Sequence, residues 1–153
     1  MALPLSLRAI SRALPVADVI AVFTDGKELP LPLGVARAAR THLSRAGFKA
    51  GATETRTVLL PGSTPRTLFV IGLGRSPTHD VFRCGVAAAV QYAKAEGMRT
   101  ISTFAPARLM ADRSQQEKLG RAFAEGAILA NYRFTAYRAD QAKRERALRL
   151  TRV

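Results

Sequence analysis

The chain has 153 residues, enough for one domain that buries roughly 70% of its unfolded surface without covalent staples. Hydrophobic residues make up 48%, Cys84 is the single cysteine, and no apolar run reaches membrane-spanning length, which excludes an internal disulfide, a thiolate metal cluster and a transmembrane helix. Twenty-four basic residues face 11 acidic ones, a formal +13 that suits an anionic partner, but 19 of the cations are scattered arginines, so charge alone singles out no surface.

Residues 1–17 hold Arg8, Arg12, Ser6 and Ser11 and no acid, a composition shared with organellar transit peptides. Leu3–Ile10 nevertheless alternates loosely and is read as a first, edge strand, with Pro4 tolerated near its start. A second strand is expected over Val16–Phe23, ended by the Asp25-Gly26 turn. The alternate prolines of Leu29–Leu33 require an extended connector. Val35–Ala46 then reads as an amphipathic helix with Val35, Ala39, Leu43 and Ala46 on its apolar face and Gly47 as its stop.

A polar loop over 47–54 leads to a third strand, Thr55–Leu60, and the turn Pro61–Pro65 joins it as a hairpin to the next. That fourth strand opens Thr67–Arg75, the stretch around which the chain is organised. Leu68-Phe-Val-Ile71 fits a strand covered on both faces, and Gly72 and Gly74 end it. Thr78 is the expected N-cap of a helix running to about Glu96, with Asp80 in its first turn and Gly97 beyond its end. Phe82, Val86, Ala89 and Ala93 share a face of it, widened by Val81, Cys84, Ala88 and Tyr92. A fifth strand, Arg99–Phe104, completes a parallel crossover from Thr67. Ser114-Gln-Gln-Glu117 reads as a capping box for the last helix, whose packing face is Leu119, Phe123, Gly126 and Ala130, with Ala122 and Leu129 beside it.

This pattern is α/β: a three-layer α/β/α domain over residues 1–137, its mixed, mostly parallel sheet holding about five or six strands. Residues 138–153 form a basic tail or linker. From residue 133 onward seven cations, Arg133, Arg138, Lys143, Arg144, Arg146, Arg149 and Arg152, face only Asp140 and Glu145. They are the candidate nucleic-acid contacts, with Tyr132, Phe134 and Tyr137 the nearby aromatics.

Catalytic groups are not evident. Gly72-Leu-Gly74 begins like a dinucleotide loop, but position 77 is Pro where the third glycine belongs, and no Walker lysine follows. His42 and His79 stand 37 residues apart without a cysteine or acid at ligand spacing, and His79 is expected to be exposed at a helix start. Cys84 falls on the face read as buried. Asp18, Asp25, Glu28, Glu117 and Glu125 offer no pair placed for acid–base work. The chain itself is therefore assigned no catalytic residue, metal or cofactor.

Several stretches together resemble the N-terminal domain of the leucine (cytosol) aminopeptidase family. They are Val19-Ile-Ala-Val-Phe-Thr-Asp-Gly26, Phe48-Lys-Ala-Gly51, Thr57-Val-Leu-Leu-Pro-Gly62 and Leu68-Phe-Val-Ile-Gly-Leu-Gly74, followed by Phe123–Leu129, Asn131-Tyr-Arg-Phe134 and Tyr137. The resemblance implies a macro-domain-like mixed sheet with helices on both faces. It further implies a hexameric cytoplasmic exopeptidase whose two divalent metals, zinc or manganese, and whose catalytic residues lie in a separate C-terminal domain. The family's Asn-Thr-Asp-Ala-Glu-Gly-Arg signature is not in this chain, so no family catalytic residue carries over. Residues 138–153 would lead toward that catalytic domain. Nor can the glycine-rich phosphate loop and adenine-contacting acid of ADP-ribose-binding macro domains be assigned. Some bacterial relatives bind DNA through this domain, which keeps DNA as a partner beside the catalytic domain and other subunits; no membrane partner is expected.

Overall fold

The computed structural model describes Leu14 and residues 16–60, 66–105 and 107–132. The expected strand Leu3–Ile10, the turn Pro61–Pro65 and the tail from Arg133 lie outside the described residues. Four strands and three α-helices follow in the order β1 (Val19–Thr24), α1 (Leu33–Arg45), β2 (Thr55–Leu60), β3 (Arg66–Gly72), α2 (His79–Ala95), β4 (Ile101–Phe104) and α3 (Arg113–Asn131), with a 3₁₀ turn at Ala107–Met110. The described sheet thus has four strands rather than five or six, in the order β2-β3-β1-β4. β1 runs parallel to β3 and β4, while β2 is antiparallel to β3, as a hairpin demands. The crossover from β3 through α2 to β4 is parallel, but it steps over β1 instead of reaching an adjacent strand.

The apolar runs of β1 and β3 become the two central strands because each can be buried on both faces. All six residues of β1 are buried. Alternation assigns Val19, Ala21, Phe23, Phe69 and Ile71 to the side covered by α2 and α3. Ile20, Val22, Leu68 and Val70 face Ala36, Ala39 and Leu43 of α1 and the connector leucines Leu29 and Leu31. The first side is stitched by aromatics: Phe23 meets Phe82 at a centroid distance of 4.3 Å, and Phe69 stacks on Tyr92 at 4.6 Å. The result is a three-layer α/β/α domain.

Helix boundaries follow local chemistry, and four expectations need correction. α1 starts at Leu33, two residues early, because Pro32 with its fixed φ of −53° can stand at the N-cap and nothing after it forbids the helix. Its buried residues are Ala36, Ala39 and Leu43, while Ala46 is exposed beyond the last turn. α2 is capped as expected, Thr78 accepting from the Val81 N–H at 3.2 Å. α3 begins two residues before the predicted box: Asp112, not Ser114, is the N-cap, its Oδ1 accepting from the Gln115 N–H at 2.8 Å. Two cap-forming residues stand within three positions there, and the earlier one, an aspartate, takes the role. Leu129 is 65% exposed, because no described element covers that flank of α3.

Asp18 stands just before β1 rather than inside a strand. Its Oδ2 accepts from the N–H groups of Arg99 and Thr100 and from the Thr100 hydroxyl, at 3.0, 2.9 and 2.9 Å. The short strand β4 is thereby tied to the start of β1. These bonds, the Arg99 N–H first, hold the Asp18 carboxyl below its ordinary value. A depressed carboxylate stabilises the fold above the unfolded-state value of about 3.9, and that contribution fades as the pH falls below it. We expect Asp18→Ala to cost about 1 kcal/mol at pH 7, the bonds to a charged acceptor being discounted for exposure. In urea titrations the gap between wild type and variant should narrow below about pH 3.9; a gap that stays constant down to pH 2.5 would show that the ionised carboxylate is not what matters.

Candidate functional site

In open α/β folds ligands settle at the carboxyl ends of the strands, where the chain reverses direction between neighbours. Here that place is the gap beyond β1 and β3, bounded by Thr24–Gly26 and Gly72–Gly74. The loop 47–54 packs against the β3 end of it. Gly72 donates its N–H to the Glu54 carbonyl at 2.7 Å and accepts from the Thr53 N–H at 2.9 Å; Leu73 donates to the Thr24 carbonyl at 2.8 Å and Gly74 to the Ala50 carbonyl at 2.9 Å. A phosphate loop needs such N–H groups turned outward and unpaired. All three are already used by this chain's own carbonyls.

The glycines are required by this closure. A Cβ on Gly72 would lie 2.1 Å from the Gly51 carbonyl oxygen, and Gly74 has a φ of +71° with Ala52 at 3.2 Å. The covering loop is itself held tightly. Glu54 Oε2 accepts from the N–H groups of Lys49 and Gly51 at 3.1 and 3.0 Å, and its Oε1 lies 3.6 Å from Arg56. The two described non-glycine residues with positive φ, Ala50 at 55° and Thr53 at 62°, both belong to it. Sequence reasoning treated 47–54 as an ordinary polar connector and passed over Glu54. The available signal was a lone carboxylate three residues after a glycine, which is weak.

The other candidates are dispersed. Asp25 Oδ1 accepts from the N–H groups of Lys27 and Glu28, both at 3.0 Å, the Asx turn expected of it. His42 is exposed on α1. His79 is half-buried instead of exposed: its Nε2 is shut off from solvent and has no hydrogen-bond partner among the described residues. Cys84 is exposed, against the expectation of a core position. At 100° per residue it lies nearly opposite the stripe of Phe82, Val86, Ala89 and Ala93 that faces the sheet. Glu117 and Glu125 pair with Arg113 and Arg121 one turn away on α3, at 3.2 and 2.8 Å. Among the described residues no three His, Cys, Asp or Glu side chains gather where a metal could sit, and no helix is long and apolar enough to cross a membrane. The seven cations from Arg133 to Arg152 lie outside the described residues.

One cationic surface was not singled out from sequence. Arg37, Arg40 and Arg45 stand exposed on α1, which carries no acidic residue. On the opposite layer Arg83 pairs with Asp80 and lies 3.9 Å from Glu125, so that arginines there are balanced by carboxylates.

The fold has counterparts among known proteins. The sequence profile of the cytosol aminopeptidase family, N-terminal domain, matches residues 16–141. A solved structure of a tomato leucine aminopeptidase mutant superposes with a TM-score of 0.66 at 18% identity, over 81% of this chain and 27% of that one. At such identity the likeness is one of fold, and the chain spans about a quarter of the solved enzyme's length. A search among curated proteins finds no match.

Proposed function

The chain belongs to the cytosol aminopeptidase family, as its N-terminal domain, and from that premise we propose that it is a non-catalytic accessory domain of a cytoplasmic metalloaminopeptidase. It would help position subunits of the oligomer, a hexamer by family resemblance, and shape access to a catalytic domain that carries the two zinc or manganese ions and releases N-terminal amino acids. One observation carries this reading: the N–H groups of Gly72, Leu73 and Gly74, which a phosphate loop would have to present, are all taken by carbonyls of the chain itself. A strand end with no free N–H groups does not cradle a phosphate, which leaves the surfaces of the domain to carry its role. The expected result is no hydrolysis of amino-acyl arylamides by the purified chain with added zinc or manganese. Turnover that survives repurification and disappears on a substitution within this sequence would overturn the reading.

A second reading, nucleic-acid binding, is favoured by a different observation, the arginines of α1, with which no carboxylate pairs among the described residues.

A further inference from the structure

We propose that the outer face of α1 is a docking surface for the phosphate backbone of a nucleic-acid duplex. This rests on the nucleic-acid reading and moves its locus from the tail to a helix of the folded domain. At 100° per residue, Arg40, Ser44, Arg37, Thr41 and Arg45 occupy one continuous arc of about 140° facing away from the buried stripe of Ala36, Ala39 and Leu43. All five are exposed. Arg37 to Arg45 spans about 12 Å of helix, roughly the axial length of three phosphates on one strand. No carboxylate pairs with these three guanidinium groups among the described residues. Arg40 gives one N–H to the Lys27 carbonyl at 3.4 Å and keeps its charge.

The chemistry of the arc selects among anionic partners. Arginines interleaved with hydroxyl side chains are phosphate-contacting groups that fix a protein on the backbone without reading sequence. The arc holds no aromatic side chain on which unpaired bases could stack, which disfavours a single strand. It also holds no large apolar side chain to enter a bilayer, which disfavours a lipid surface. α2 and α3 have acids within reach of their arginines, so the charge of the described domain is polarised toward the α1 layer.

The test is fluorescence anisotropy of a labelled 20-base-pair duplex of arbitrary sequence, with the full chain, over a salt series. Replacing Arg37, Arg40 and Arg45 together by Gln should reduce the slope of log K against log salt by about 2.7 and weaken binding at least about tenfold at low salt. A full-chain variant with the cations of residues 133–152 replaced by Gln should keep that α1-dependent difference. If the triple variant is not folded by circular dichroism, Arg37→Gln and Arg45→Gln singly should each remove about 0.9 from the slope. Wild-type binding that the α1 variants leave unchanged and the tail variant abolishes overturns this inference while leaving the nucleic-acid reading standing. Absence of duplex binding at low salt overturns both. Tighter binding to a single strand, or to phosphatidylserine vesicles with none to duplex, overturns the choice of partner.

Discussion

Gly72→Ala is expected to lower the melting temperature by roughly 6–12 °C, corresponding to about 3 kcal/mol for a chain of this size. The reason is space, because Gly72 is not among the glycines of positive φ. A Cβ there would meet the Gly51 carbonyl oxygen at 2.1 Å and the Ala50 carbonyl carbon and oxygen at 2.6 and 2.8 Å. These are backbone atoms, so no side-chain rotation relieves the clash; the loop must withdraw. Withdrawal strains or breaks the bonds from Thr53 to Gly72, from Gly72 to Glu54 and from Gly74 to Ala50. Each contributes about 1 kcal/mol net, and more where the abandoned group stays buried. The reduced freedom of the unfolded chain returns only about 0.4–1 kcal/mol. Gly34→Ala is the matched control, since a Cβ at that helical position meets nothing within 4 Å and helix propensity favours Ala by up to about 1 kcal/mol. Thermal melts in which Gly72→Ala lies within 2 °C of wild type would mean that the loop does not pack on Gly72 as described.

The same residue shows what a sequence can and cannot convey. Leu68–Ile71 followed by Gly72 and Gly74 identified a buried strand and its end, because burial on two faces and conformational freedom are local requirements written in residue type. What that end meets is decided by a loop about 20 residues earlier, and no periodicity links Ala50 to Gly72. A phosphate loop and a sealed turn therefore read alike until the hydrogen-bond partners are known. Cys84 failed for a related reason: eight positions of α2 were grouped as one broad face, but the buried stripe is centred on Phe82, Val86, Ala89 and Ala93. Val81, Ala88 and Tyr92 are partly buried on a flank, and Cys84 lies beyond it. The strand order was equally hidden. The short glycine-containing turn Pro61–Pro65 pointed to the β2–β3 hairpin, yet the insertion of β1 between β3 and β4 depends on long-range pairing. Spacing alone sets the arginines of α1 off its apolar face, but that no described carboxylate pairs with them became meaningful only beside the paired arginines of α2 and α3.

Gly126 sets the other close approach, and its substitution series separates helix propensity from packing. Gly in the middle of α3 costs the helix about 1 kcal/mol relative to Ala, so an exposed site would be stabilised by Ala. Here a Cβ would sit 2.5 Å from the Arg83 carbonyl oxygen and 3.1 Å from the Val86 Cβ of α2. The first is a rigid helix carbonyl and the second the root of a buried side chain, so the helices must separate. Overpacking of this kind costs about 1–3 kcal/mol. Ala should therefore come out net destabilising by about 1 kcal/mol once its propensity gain is counted. Leu adds a branched side chain to a slot already closed to one carbon, so α3 must shift or roll on α2, and Leu119, Ala122 and Phe123 lose part of their cover. The expected cost for Leu exceeds 3 kcal/mol, with a fall in melting temperature of roughly 6–12 °C. Because the α1 arc lies across the sheet from this contact, Gly126→Ala should leave the salt dependence of duplex binding unchanged. Urea titrations in which Ala and Leu both match or exceed the wild type would show that α2 and α3 are not in close contact at Gly126.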